Sequence, residues 1–250
     1  MTGRRLVVLL SAAAFATAAA AGCARTALQS PSSIAPVRQA AYLKAANPDM
    51  GDHFACGGSL PGHIGNAIAI SADGNTIVVG APHESSVARG INGNAGDNSL
   101  YASGAVYVFI RRGNAWVQQA YVKASNAGQS DLFRMNVPLS ADGNTMAVSA
   151  PWERSAATGI NGDQNDDSLP QAGAVYVFTR SGGSWSQQAY VKASNTGRHA
   201  ANEGDLLADG DQFGFSLALS GDGNTVAVGA NSEDAVAAGA KTDPKDDSWS

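Results

Sequence analysis

Charge is scarce in this sequence. The 250 residues include 16 Lys+Arg and 21 Asp+Glu, or 15% of the chain, against about 25% in an average globular domain. No cluster of Lys and Arg occurs, and the formal charge is -5. Both facts argue against nucleic acid as the main partner. The 2 Cys are too few for a disulfide-dense scaffold or a four-Cys zinc site. No stretch carries a long helical period. His53, His63, His83 and His199 lack any close-paired metal spacing and read as loop residues. The one long apolar run, Leu6 to Ala21, has 16 residues, short of the roughly 20 that a spanning helix needs. What is plentiful is glycine, at 29 residues, and apolar side chains, at 44%. That composition supports a packed core and excludes a disordered chain.

The apolar run follows Arg4 and Arg5 and ends at Ala20-Ala21-Gly22-Cys23. A short positive segment, an apolar segment and small residues together read as an export signal over residues 1–22. A Cys directly after Ala-Ala-Gly resembles a bacterial lipobox, with Ala20 where that pattern prefers Leu. The resemblance implies cleavage after Gly22 and lipid attachment at Cys23. Ala24, rather than Asp, implies sorting to the outer membrane. A plain secretory signal, with a Cys23–Cys56 disulfide, is the competing reading. Removing residues 1–22 takes away two Arg and no acid, so the formal charge goes from -5 to -7. Residues 23–40, with Pro31, Ser32, Ser33 and Pro36, read as a flexible tether.

The remainder is one unit repeated. Trp116 to Asn126 returns as Trp185 to Asn195 with a single change, Val117 to Ser186. Gly104 to Phe109 returns unchanged as Gly173 to Phe178. Asp-Gly-Asn-Thr begins at Asp73, Asp142 and Asp222, with offsets of 69 and 80 residues. Insertions hold Cys56, Gly57 and Gly58 before the first copy and residues 199–209 before the third. Each copy reads as four strands. In the clearest stretches these are Phe213–Ser220, Thr225–Ala230, Gly173–Arg180 and Trp185–Ala193. Asp-Gly pairs supply the first turns, expected to be type I′ hairpins. The fold expected is all-β, built of four-stranded antiparallel blades of a partial β-propeller. A β-solenoid fits unequal strands and long loops less well.

These copies resemble FG-GAP repeats, which build the propeller of integrin α chains and of bacterial surface proteins. Phe213-Gly214 followed by Gly229-Ala230 carries the likeness best. Ile64-Gly65 with Gly80-Ala81-Pro82 is the same pattern with Ile for Phe. Phe133 with Ala150-Pro151 is degenerate at two glycines. Copies are expected over 64–126 and 133–195, with a truncated third over 213–250. About 2.5 copies cannot close a ring, so a longer chain is expected, or a ring assembled from several chains. Gln39–Asn47 matches the fourth strand, and residues 41–63 read as an outer closing strand for a missing blade followed by an insertion.

Chemistry is sparse. The loop between the second and third strands offers Asp163, Asn165 and Asp167 in copy 2, beside Glu153. Copy 3 offers Glu233, Asp243, Asp246 and Asp247, and copy 1 offers Glu84, Asn94, Asp97 and Asn98. Oxygen ligands at alternate positions suit Ca²⁺, although the same residues are ordinary turn formers. Integrin-type repeats imply calcium at the shorter loop holding Asp73, Asp142 and Asp222. Its other ligands are missing here, so turn roles are expected. Ser216 lacks a nucleophile elbow, and Cys56 has no activating partner. Trp116 and Trp185 read as packing residues between blades, while Trp152 and Trp249 are loop candidates for ligand contact. The reading is a non-catalytic, lipid-anchored envelope protein that binds a protein or glycan through its loops. A propeller-type carbohydrate-active enzyme and a purely structural envelope component are the alternatives.

Overall fold

The computed structural model of the chain describes residues 39–56, 66–197 and 210–233. Two units are distinguished, Met1–Leu43 and Lys44–Ser250. In the first, residues 39–43 are irregular. The second holds nine strands among its described residues and no helix. The signal, Gly22, Cys23, most of the tether, Ile64, Gly65, Asp243, Asp246 and Asp247 lie outside the described residues.

Copy 1 forms a four-stranded antiparallel meander in the order β1 (Ile68–Ile70), β2 (Thr76–Ala81), β3 (Ala105–Arg112) and β4 (Ala115–Val122). Copy 2 forms β5 (Thr145–Ala150), β6 (Ala174–Ser181) and β7 (Ser184–Val191) in one sheet. Copy 3 contributes β8 (Phe213–Leu219) and β9 (Val226–Ala230). The registers repeat as closely as the sequence does. Val79 faces Tyr107 and Tyr107 faces Tyr121, while Val148 faces Tyr176 and Tyr176 faces Tyr190. Each fourth strand bulges at the same place, with Gln119 and Gln188 the extra residues opposite Val108/Phe109 and Val177/Phe178.

The first strand of copy 2 departs from the four expected. It shrinks to a bridge between Leu139 and Met146. Pro138 is the physical reason. Its carbonyl still accepts from Ala147 N at 3.2 Å, but it has no N–H to return to the ladder. Residues 39–47 lie in no strand.

The Asp-Gly turns are not type I′. That type needs positive φ at both central residues, yet only Gly74, Gly143 and Gly223 have it, at 68°, 72° and 75°. The hairpins instead use four-residue loops. Ser71 N donates to Thr76 O at 2.9 Å, and Gly74 N turns back to Ser71 O at 2.9 Å. Asp73 fastens the loop by accepting from Ser71 Oγ, Asn75 N and Asn75 Nδ2 at 2.5, 2.9 and 3.0 Å. Asp142 and Asp222 do the same in their copies. These hydrogen bonds hold all three carboxyls below their usual pKa. The turns also link to one another. Ala72 N donates to Ala141 O at 2.8 Å, and Ala141 N donates to Gly221 O at 2.7 Å.

One buried core runs through copies 1 and 2. Val78, Val106, Val108 and Val122 pack with Phe133, Met146, Tyr176, Phe178, Trp185 and Tyr190. Ala105 to Phe109 is buried at every position, as expected for a strand covered on both faces. Gln188 on β7 is exposed and Gln187 half-buried, as a water-facing outer strand requires. Phe133 stands edge-on to Tyr176 at 5.2 Å and to Phe178 at 6.1 Å. In copy 1 that ring position belongs to Phe54, 5.5 Å from Tyr107 and 6.2 Å from Phe109. The first copy therefore reaches back past Ile64 to Asp52.

Candidate functional site

With Phe54 placed, a shared frame emerges around Asp52-His53-Phe54, Asp131-Leu132-Phe133 and Asp211-Gln212-Phe213. The middle residue of each has positive φ, at 56°, 54° and 57°. The residue after Phe also has positive φ: Ala55 at 64°, Arg134 at 118° and Gly214 at 96°. Only glycine adopts that region without strain, which gives the Gly of the Phe-Gly pattern its reason. Gly104 and Gly173 receive the next copy's Phe segment. A side chain on either would run into the backbone of Phe133 or Phe213.

Each complete copy buries a lysine–glutamate pair within this frame. Lys123 Nζ meets Glu84 Oε2 at 2.7 Å, and Lys192 Nζ meets Glu153 Oε2 at 2.8 Å. The side chains are 0–1% exposed. The lysine rides the end of the fourth strand, and the glutamate opens the loop after the second. Burial lowers both lysine pKa values, with the glutamate opposing the shift. Asp52 and Asp131 lie alongside. Burial raises both, and Asp131 reaches about 7 against the pull of its hydrogen bond from Gly128 N. Asparagines splice one copy to the next. Tyr107 OH donates to Asn47 Oδ1 at 2.9 Å, and Tyr176 OH donates to Asn126 Oδ1 at 2.6 Å. Asn195 Nδ2 donates to Glu233 Oε2 at 3.0 Å.

What varies on this frame is the candidate site. At the position before the frame glutamate stand His83, Trp152 and Ser232. At the middle of the Asp-x-Phe segment stand His53, Leu132 and Gln212. Tyr101 is matched by Pro170. Because the copies fold alike with different residues here, the fold does not require the ones present. In copy 1 these residues line a cleft of about 360 Å³ with Asp49, Met50, Ser85 and Asn98. The His53 and His83 rings stack with centroids 4.4 Å apart, and Tyr101 lies 6.2 Å from His83. Tyr101 is 61% exposed. Asn98 Nδ2 donates to Asp49 Oδ2 at 2.9 Å. Burial lowers the His83 pKa, with His53 and Arg134 adding to the effect. The cleft thus offers aromatic rings beside a carboxyl group and an amide. His53 and His83 read from sequence as plain loop residues, because the thirty residues between them hide their contact.

Among the described residues, the candidate calcium ligands do not converge. Asp163, Asn165 and Asp167 are exposed, and Asp163 Oδ1 is taken by Asn165 N at 2.9 Å. The neighbouring Asp166 holds the loop by accepting from Ser168 N and Ala156 N. In copy 1 Asp97 accepts from Ser99 N and Val87 N in the same way, and Asn94 Oδ1 accepts from Gly96 N. Glu84 and Glu153, offered as ligands from sequence, are the buried partners of lysines. Among the described residues, no group of three His, Cys, Asp or Glu side chains is placed to hold a metal ion. Asp73, Asp142 and Asp222 serve their turns.

The repeat-motif residues are structural. Ala81 and Ala150 are fully buried, and Pro82 and Pro151 follow them into the loop. Gly80 O accepts from Ala55 N at 2.8 Å, and Ser149 O accepts from Arg134 N at 2.8 Å. Gly229 and Ala230 pair with Ser216 and Phe213, which makes Ser216 a strand residue. Trp185 packs between copies. Its Nε1 donates to Gln119 Oε1 at 3.1 Å, and Arg180 lies over its ring at 5.3 Å. Cys56 is half-buried, and its carbonyl accepts from Arg134 Nη1 at 2.5 Å. No protein-family model matches the chain, and no curated protein is significantly similar to it.

Proposed function

We propose that the chain is part of an exported, lipid-anchored β-propeller of FG-GAP-like blades, which binds a protein or glycan through its loops. The observation that carries this reading is the exchange of His83, Trp152 and Ser232 at one position of an otherwise repeated frame. Fixed frame residues with variable loop residues are what a binding scaffold presents. The sequential meander, the core shared by adjacent copies and the turn-to-turn hydrogen bonds support stacked blades. Arg4, Arg5, the apolar run and Gly22-Cys23 support export and anchoring.

Binding is tested by probing the immobilised chain with a glycan array and with solubilised envelope proteins. A chain carrying His83→Ala and Trp152→Ala should lose at least tenfold in affinity for the captured partner and keep its Tm within a few degrees. Unchanged affinity in that double variant would overturn the loop-face assignment. Export through the lipoprotein route predicts that blocking the lipoprotein signal peptidase accumulates uncleaved precursor. Normal processing under the block would exclude the Cys23 anchor.

A further inference from the structure

The buried pair of copy 2 is arranged for more than ion pairing. Lys192 Nζ lies 2.8 Å from Glu153 Oε2 with both side chains out of water. The other carboxyl oxygen, Oε1, accepts from Tyr190 OH and from Asn126 Nδ2, each at 2.9 Å. Two such donors polarise the carboxyl carbon and stabilise negative charge that develops on that oxygen. In copy 1 Ser103 Oγ takes a second hydrogen bond from Lys123 Nζ at 2.6 Å. Copy 2 has Ala172 in place of Ser103, so its amine lacks that hydroxyl. Burial moves Lys192 toward the neutral, nucleophilic form. Asp131, 3% exposed, acts electrostatically on both Lys192 and Glu153.

We infer that Lys192 and Glu153 condense after folding into an intramolecular amide that ties the end of β7 to the loop after β5. The Lys192 nitrogen attacks Glu153 Cδ. The N–Cδ bond forms and the Cδ–Oε2 bond breaks. Both protons that the ammonium sheds pass across the 2.8 Å contact to Oε2, which leaves as water. In sum, an ammonium and a carboxylate become an amide and one water, and nothing is oxidised or reduced. The fold holds the partners in contact and excludes competing water. It also favours a neutral product over two buried charges, whose desolvation opposes them. Tyr190 and Asn126 keep their hydrogen bonds to the same oxygen, which becomes the amide carbonyl. Lys123 and Glu84 have the same contact, but Ser103 holds the ammonium, so copy 2 is the site.

Mass spectrometry of the full chain decides the matter. The folded protein, denatured just before measurement, should weigh one water less than its sequence requires. A peptide map should contain a branched peptide joining the Lys192 and Glu153 segments, whatever happens at the N-terminus. Glu153→Ala and Lys192→Met, each checked for β-structure by circular dichroism, should regain the full mass. Linear peptides alone in the wild-type map would overturn the cross-link, whether or not either variant folds. A water deficit that survives either variant would also overturn it.

Discussion

Asp131 shows how the frame governs a single side chain. The folded chain holds its pKa near 7, against 3.8 for the ordinary group, chiefly through burial. A carboxyl raised in the folded state favours folding below its unfolded pKa, and that contribution fades as pH rises through the folded value. The loss attributable to Asp131 therefore falls between about pH 4 and 7. Asp131→Asn keeps an oxygen for the Gly128 N–H and has no proton to lose. Thermal melts across this window should show the wild type losing stability relative to the variant as pH rises. Parallel curves would refute the assignment. The lysines teach a related lesson. Glu84 and Glu153 read from sequence as loop ligands, not as partners of Lys123 and Lys192. Each pair is 39 residues apart, so no local pattern joins them. Their recurrence in register from copy to copy was the signal available.

Strands and turns were largely legible. Phe213–Ser220 and Trp185–Ala193 became β8 and β7 within two residues, because alternation and aromatic residues mark both stretches as strands. Turn type was not legible. Asp-Gly permits a two-residue hairpin, but the serine and asparagine around each Asp capture its carboxylate and lengthen the loop. The first copy's start was hidden by its insertion. Phe54 precedes the turn aspartate by 19 residues, whereas Phe133 and Phe213 precede theirs by 9. The Asp-x-Phe triplet was the cue that survived. Between elements, Gly104 and Gly173 set how closely one copy's third strand meets the next copy's Phe. Gly173→Ala combines positive φ with a backbone collision and should cost about 2–3 kcal/mol. Gly113→Ala has equally positive φ and open space around it, and should cost about 1 kcal/mol. Urea unfolding of the two variants separates collision from strain.

At the scale of the molecule, the cleft pairs one frame residue, Asp52, with His53, His83 and Tyr101, positions that the other copies fill differently, so its lining can change without refolding. The hydrogen bonds from Ala72 to Ala141 and from Ala141 to Gly221 run in one direction, each turn donating to its successor. A row with such polarity can be cut and rejoined at equivalent links. Excising residues 127–195 and joining Asn126 to Thr196 would set Gly104 against Phe213 and Ala72 against Gly221. Stability in stacked units is a sum of unit and nearest-neighbour contributions, so the shortened chain should keep its β spectrum and unfold cooperatively at lower urea. Loss of all structure would mean that the copies are not interchangeable. By this logic, length is an adjustable property of the protein, and a duplication or loss of one copy would change how many loops it displays without redesigning any of them.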